Sequence, residues 1–343
     1  MTLPRTNASH DFLFAKLHGM WARAMKGPSL ESLLKSGTVE QLQRSMQQLG
    51  LDASKREIFH KDLILREFNM LSRIASLLDD ASAAFYTALL ARVYYENLKT
   101  MLHYRFFPER ESDISWLLVQ VPGLPDFAAD ELLDAPDTKA FTNMLPLTDG
   151  ITRRQLSELV EKLEKELDIM FVECSLDQIY YNHVIRAASR TPFAMRGEVR
   201  RLIALEIDIV DLCMLLRNVK TYHIDHERLS KLWIHGGELL DAKKLDALAA
   251  QASVADVVSN LPSAFQRMLS PFVEGELYLS ENALWCHLHG EASRIFSDFD
   301  KPSRSIAAFP FLVHFETLNI GRVYEGVHFG IPARDMQDMM IGA

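Results

Sequence analysis

Apolar side chains recur along this chain mostly at steps of three and four residues, the spacing that lines one face of a helix. Between Asp11 and Met25, the positions Phe12, Phe14, Leu17, Trp21 and Met25 form such a stripe, closed by Gly27-Pro28. Between Gln155 and Phe171 a second stripe runs through Leu156, Leu159, Val160, Leu163, Leu167 and Met170, with Glu161 and Lys165 four apart on the polar side. From Glu198 to Arg217 the apolar face is broad (Val199, Leu202, Ile203, Ile209, Val210, Leu212, Leu216), which predicts a central helix covered on several sides. No run alternates polar and apolar residues long enough to predict a strand, so the expected fold is all-α. Pro122-Gly-Leu-Pro125, Gly236-Gly237, Ser270-Pro271 and Gly330-Ile-Pro332 mark loops.

Two patterns occur three times, always in the same order. The first is a helix-start signal: Thr38-Val-Glu-Gln41, Asp137-Thr-Lys-Ala140 and Ser253-Val-Ala-Asp256. Each places a side-chain oxygen where it accepts a free N–H of the first turn, and Gln41 gives the first copy the form of a capping box. An apolar pair lies near each cap (Leu33-Leu34, Leu132-Leu133, Ala247-Leu248), and eight residues after each cap stands an apolar anchor, Met46, Leu145 or Leu261. The second pattern is a short polar-apolar phrase inside a helical stretch: Asn97-Leu98, Asp211-Leu212 and Asn319-Ile320, at intervals of 114 and 108 residues. The loops at Gly123 and Gly237 each follow their phrase by 26 residues. A period this long exceeds that of short solenoid repeats and predicts three small helical modules of one design. Their expected extents are 1–105, 106–217 and 218–343, with terminal helices shared between neighbours.

A chain of 343 residues with 48% hydrophobic content has ample material for a core. Its formal charge of −9 argues against nonspecific binding to nucleic acid or to an anionic lipid surface. Three scattered cysteines, Cys174, Cys213 and Cys286, fit a reducing compartment rather than a disulfide framework. The opening Met1 to Asp11 is polar and lacks the apolar core of a secretory signal. The longest uncharged apolar stretches, Ile114 to Pro125 and Ser305 to Phe315, fall short of the roughly 20 residues of a spanning helix.

Candidate chemistry is sparse. His223-Ile-Asp-His226 and His287-Leu-His289 bring imidazoles close in sequence, but neither has the His-Glu-x-x-His form or a neighbouring cysteine pair, so no metal is expected. Neither a phosphate-binding GxxxxGK[ST] loop nor a GxSxG nucleophile elbow is present, and no cofactor is expected. Trp21, Trp116, Trp233 and Trp285 read as core or module-boundary residues.

The stretch Glu96-Asn-Leu-Lys-Thr-Met-Leu102, the turn Ile234-His-Gly-Gly-Glu-Leu239 and the ending from Asn319 to Gly330-Ile-Pro332 together resemble the C-type subunit of archaeal and bacterial V/A-type rotary ATPases, whose eukaryotic equivalent is the d-type subunit of the vacuolar ATPase. The resemblance spans the chain. It departs from the family at Asp211, where the family has Asn, at Pro122-Gly123, where it has a double glycine, and at Val327, where it has Lys; these departures point to a divergent bacterial member. The resemblance implies a non-catalytic central-stalk subunit. Three similar helical modules would surround a pseudo-threefold axis as a funnel, one end on the membrane proteolipid ring, the cavity receiving the rotor shaft subunits of D/F type. It also implies a place at the cytoplasmic face of the membrane, held through the membrane sector of a proton- or sodium-translocating complex. A free-standing helical scaffold of the same fold is the alternative.

Polar residues on otherwise buried helices need an explanation under either reading, since an unpaired buried carboxylate is costly. Glu96, Asn97, Lys99, Glu206, Asp208, Asp211, Arg217, Glu316, Asn319 and Arg322 are the candidates for a cavity or interface role. The carboxylates among them either line a wet central cavity or bond between modules, with Lys99, Arg105, Arg217 or Arg322 as partners.

Overall fold

The computed structural model describes residues 8–107 and 117–342; Trp116, the start of the Ile114–Pro125 stretch and the residues before Ala8 lie outside it. Every regular element among the described residues is helical, and none is a strand. The first run holds α1 (His10–Trp21), α2 (Pro28–Leu34), α3 (Val39–Gln47), α4 (Arg56–Ala75), α5 (Asp80–Leu90) and α6 (Arg92–Phe106). The second holds α7 (Ala129–Leu133), α8 (Thr138–Met144), α9 (Arg153–Glu166), α10 (Ile169–Arg190) and α11 (Phe193–Arg217), which ends in a π-turn over Asn218–Tyr222. The third holds α12 (His226–Leu229), α13 (Ala242–Ala249), α14 (Val254–Asn260), α15 (Ser263–Leu269), α16 (Leu277–Phe296), α17 (Ser303–His328) and α18 (Ala333–Gln337).

The recurring caps start α3, α8 and α14. Thr38 Oγ1 accepts the Gln41 N–H (3.3 Å), Asp137 Oδ1 that of Ala140 (2.7 Å) and Ser253 Oγ that of Asp256 (3.1 Å). The anchors Met46, Leu145 and Leu261 are all buried, so each short helix is pinned at both ends. Gln41 does not complete the expected box, because its side chain accepts the Gly37 N–H one residue earlier; the full reciprocal box forms at Thr152 and Gln155 of α9.

Three predicted boundaries move for identifiable reasons. The stripe from Gln155 to Phe171 is two helices: Leu167 turns left-handed with φ 51° and is exposed, and Asp168 caps α10 by accepting the Phe171 N–H. Helix α1 stops at Trp21 rather than Met25, because the Met25 N–H is given to Glu316 Oε1 at 2.8 Å. Helix α11 begins five residues early, directly after Pro192. At Ser270-Pro271 the chain makes a single 3-10 turn instead of an open loop.

Helix α17 is buried through most of its length despite Pro310 in its interior. Proline has no N–H to give the carbonyl one turn back, at Ile306. The buried Tyr86 hydroxyl supplies that bond, donating to the Ile306 carbonyl at 2.7 Å, so no buried acceptor is left open.

The long helices close a circuit: α4 lies on α5, α5 on α10, α10 on α11, α11 on α16 and α17, and α17 on α4. Short helices are laid against each phrase-bearing helix, α7 on α6, α13 on α11, and α2 with α3 on α17. The last of these brings the first run onto the end of the third. It forms its own apolar cluster, in which Leu30, Leu33, Leu42 and Met46 meet Ile320, Val323 and Tyr324.

Candidate functional site

Asn97, Asp211 and Asn319 sit at equivalent points of α6, α11 and α17 and perform one task. The Asn97 amide nitrogen donates to the Val119 carbonyl (2.8 Å) and its oxygen accepts the Val119 N–H (3.0 Å). Asn319 makes the same ring with Ile341, both bonds at 2.8 Å. Asp211 Oδ1 accepts the Ile234 N–H at 2.9 Å. The partners lie 22, 22 and 23 residues further along the chain. Each phrase therefore clips the segment that follows its own helix back onto that helix.

In the second copy the clip is reinforced. Asp208, one turn before Asp211, accepts the N–H groups of Glu238, Leu239 and Leu240 at 2.8–3.0 Å. Burial pushes its carboxyl above the usual range against the pull of those three donors. The double glycine makes this approach possible: Gly236 has φ 121°, and a Cβ on Gly237 would strike Asp208 Oδ1.

Between the long helices lies a cavity of about 320 Å³, lined from all three runs. Phe68 of α4, Leu89 and Leu90 of α5, Leu288 of α16, and Pro310 and Phe311 of α17 make its walls largely apolar. Its polar side is one connected network. Arg92 of α6 pairs with Glu206 of α11, donates to His314 Nε2 of α17 (3.0 Å) and stacks 5.4 Å from the Tyr180 ring centre. Since a guanidinium only donates, His314 Nε2 accepts and Nδ1 carries the proton that Glu67 Oε1 takes at 3.0 Å. The Tyr181 hydroxyl donates to Glu206 at 3.1 Å. This network ties α4, α6, α10, α11 and α17 together by charge-assisted bonds, the stronger kind.

The ten candidates fall into three groups. Glu96, Asn97 and Glu206 line the central cavity. Lys99 pairs with Glu96 (2.9 Å) and with Asp177 of α10 (2.6 Å), and against the cost of burial these carboxylates hold its ammonium above the usual range. Asp208, Asp211 and Asn319 serve the clips, as Asn97 does besides lining the cavity. Glu316 pairs with Arg66 of α4 at 3.0 Å, Arg217 makes a two-bond contact with Glu281 of α16 (2.6 and 2.7 Å), and Arg322 donates to Asn282 and the Met339 carbonyl. Of the four suggested partners only Lys99 meets a carboxylate from that set; Arg105 instead donates to the Leu133 and Ala135 carbonyls. Arg66, Glu67, Arg92, Asp177, Tyr181 and His314 were not singled out from sequence. Arg92 alone had a usable signal there, one turn before Glu96 on the same helix.

Trp233 is buried and donates its indole N–H to Asp246, while Trp285 borders the cavity. Among the described residues, no three His, Cys, Asp or Glu side chains come together to hold a metal, and no helix is long and apolar enough to cross a membrane. Cys174, Cys213 and Cys286 are free thiols.

Comparison with known proteins adds two findings. The family model described as ATP synthase (C/AC39) subunit matches residues 13–339. The C-type subunit of the A-type ATP synthase of Methanosarcina mazei is 21% identical over 257 residues, covering 74% of this chain and 69% of that protein. A match that takes in all three phrases, all three caps and the helices that frame the cavity identifies the chain as a member of the ATP synthase C/AC39 subunit family.

Proposed function

We propose that this protein is a non-catalytic central-stalk subunit of a V/A-type ion-translocating ATPase, joining the rotor shaft to the membrane proteolipid ring. The observation that carries this reading is the clip repeated on α6, α11 and α17 around a cavity bordered by all three runs. That recurrence supports three modules, 1–105, 106–217 and 218–343, set about a pseudo-threefold axis. A coupling subunit needs stiffness and two mating surfaces and has no need of a reactive group. Close-packed helices are poorly compressible. The part-buried network around Arg92 cross-links them where the modules converge. The name of the Methanosarcina relative supports an ATP synthase setting, and an attachment at the cytoplasmic face through shaft and ring follows from the same reading.

Capture experiments test it. Immobilised protein is offered purified D- and F-type shaft subunits and, separately, detergent-solubilised proteolipid ring. Stoichiometric retention of shaft and ring is the expected result. Retention of neither overturns the proposal and leaves a free-standing scaffold of the same family.

A further inference from the structure

Two of the three clips are made by amides and one by an acid. Asn97 and Asn319 each donate to a carbonyl and accept the N–H of that same residue, closing a two-bond ring. Asp211 makes the N–H half of this ring with Ile234. Its second oxygen, Oδ2, is the chemical counterpart of the amide nitrogen in the other two clips; it is fully buried and has no hydrogen-bond partner among the described residues. An ionised carboxylate only accepts. Here it would leave a negative oxygen without a donor in a site cut off from water, at high cost. A neutral carboxylic acid has the shape and the donor-acceptor pattern of the amide.

We infer that Asp211 is held as the neutral acid, its Oδ2–H donating to the Ile234 carbonyl, so that the 223–241 segment, held at its far end by Asp208, carries the one clip of the three that ionisation opens.

The charges around the site agree. On α11 itself, Asp208 stands one turn away, with Glu238 of the loop beyond it. Helix α10 presents Cys174, with Glu173 and Asp177 near that thiol; Lys99, on the same side, is taken by Asp177 and Glu96. Helix α13 presents Asp246, bonded to Trp233, and Lys244, bonded to the Leu239 carbonyl. Helix α16 presents Glu281, paired with Arg217. On α17, His314, Glu316 and Arg322 are engaged with Arg92 and Glu67, with Arg66, and with Asn282. No cation pairs with Asp211 among the described residues. Burial, opposed by the Ile234 N–H and reinforced by Asp208, pushes the Asp211 acid up to about 8.

Urea unfolding of the full chain and of Asp211→Asn across pH tests this. In the unfolded chain the carboxyl titrates near about 3.9. Because the folded value is raised, the stability contribution is complete below the unfolded value and is lost as pH rises to the folded one. The unfolding constant of the wild type divided by that of Asp211→Asn should therefore rise about tenfold per pH unit from about 4 to about 8 and flatten above. Protection of the Ile234 amide from hydrogen exchange, taken relative to Asp211→Asn, should fall as pH passes about 8. A ratio that stays constant over the window means that Asp211 is already ionised in the folded chain and overturns the inference. The reciprocal variant Asn319→Asp puts the same question without touching Asp211: its unfolding constant, divided by the wild-type value, should show the same rise. A flat line there overturns the clip's donor-acceptor pattern as the reason for holding Asp211 neutral.

Discussion

The clips and the centre of the molecule use polar groups in opposite ways. At a clip, a side chain satisfies backbone 22 or 23 residues away on its own stretch of chain, and the arrangement recurs with each run. At the centre, Arg92, Glu206, His314 and Glu67 come from four different helices, and the contact from Arg92 to His314 spans 222 residues. The clip is a local device repeated three times. The network exists once, where the runs converge, and every member depends on the placement of the others. A repeated sequence can therefore encode its attachments independently in each copy, whereas its centre is a property of the assembled whole.

The contrast breaks most sharply at the centre. Arg92→Met leaves the buried Glu206 carboxylate without its cation and should cost about 3–5 kcal/mol in urea unfolding. Arg92→Met combined with Glu206→Met should recover most of that loss, because the penalty lies in the unpaired charge more than in the pair itself. If the single variant unfolds within about 1 kcal/mol of the wild type, the network is not what joins the runs.

Next come the clips. Asn97→Leu and Asn319→Leu each leave a buried N–H and a buried carbonyl unbonded, and should each cost about 2–4 kcal/mol. Similar losses in the two copies, read from the same unfolding curves, would confirm that they are one device used twice. A loss confined to one of them would separate the copies.

Gly237→Ala sharpens the comparison within the second copy. The new Cβ meets Asp208 Oδ1 and, at 2.9 Å, the Leu240 carbonyl oxygen. The variant should lose about 1–3 kcal/mol by overpacking, and the added exchange of amides 238–240 should exceed that of the α3 and α8 caps. The smallest effect belongs to a cap alone: Thr152→Ala removes the box on α9 and should cost about 1 kcal/mol in thermal unfolding, without changing the clips or the centre.

Helices, caps and anchors were legible because they are set by short-range geometry. A side-chain oxygen at Thr38, Asp137 or Ser253 reaches an N–H three residues on, whatever the rest of the chain does. The break at Leu167 escaped because the apolar stripe runs straight through it, while the competing signal was the single Asp168 cap. The phrases marked Asn97, Asp211 and Asn319, and the equal distance from phrase to glycine turn hinted at a fixed attachment. Which backbone group each residue grips was not visible, since any loop residue presents an N–H. The partners of Glu206 and Glu316 were missed for a stronger reason. Arg92 and Arg66 lie 114 and 250 residues away from them, and the periodicity of one helix says nothing about which helix faces it.

By itself the amino-acid order determined that this chain is helical, that it repeats a capped short helix and a polar phrase three times, and which family it resembles. Those properties depend on contacts within a few turns or on the pattern of residues alone. Only the tertiary structure decided that Asp208 would hold three backbone N–H groups and Asp211 one, that Tyr86 would serve the carbonyl opened by Pro310, and that Arg92 would join Glu206 to His314. Electrostatic and hydrogen-bond energies are set by distance and burial in space, and for groups far apart along the chain these come into being only when the helices meet.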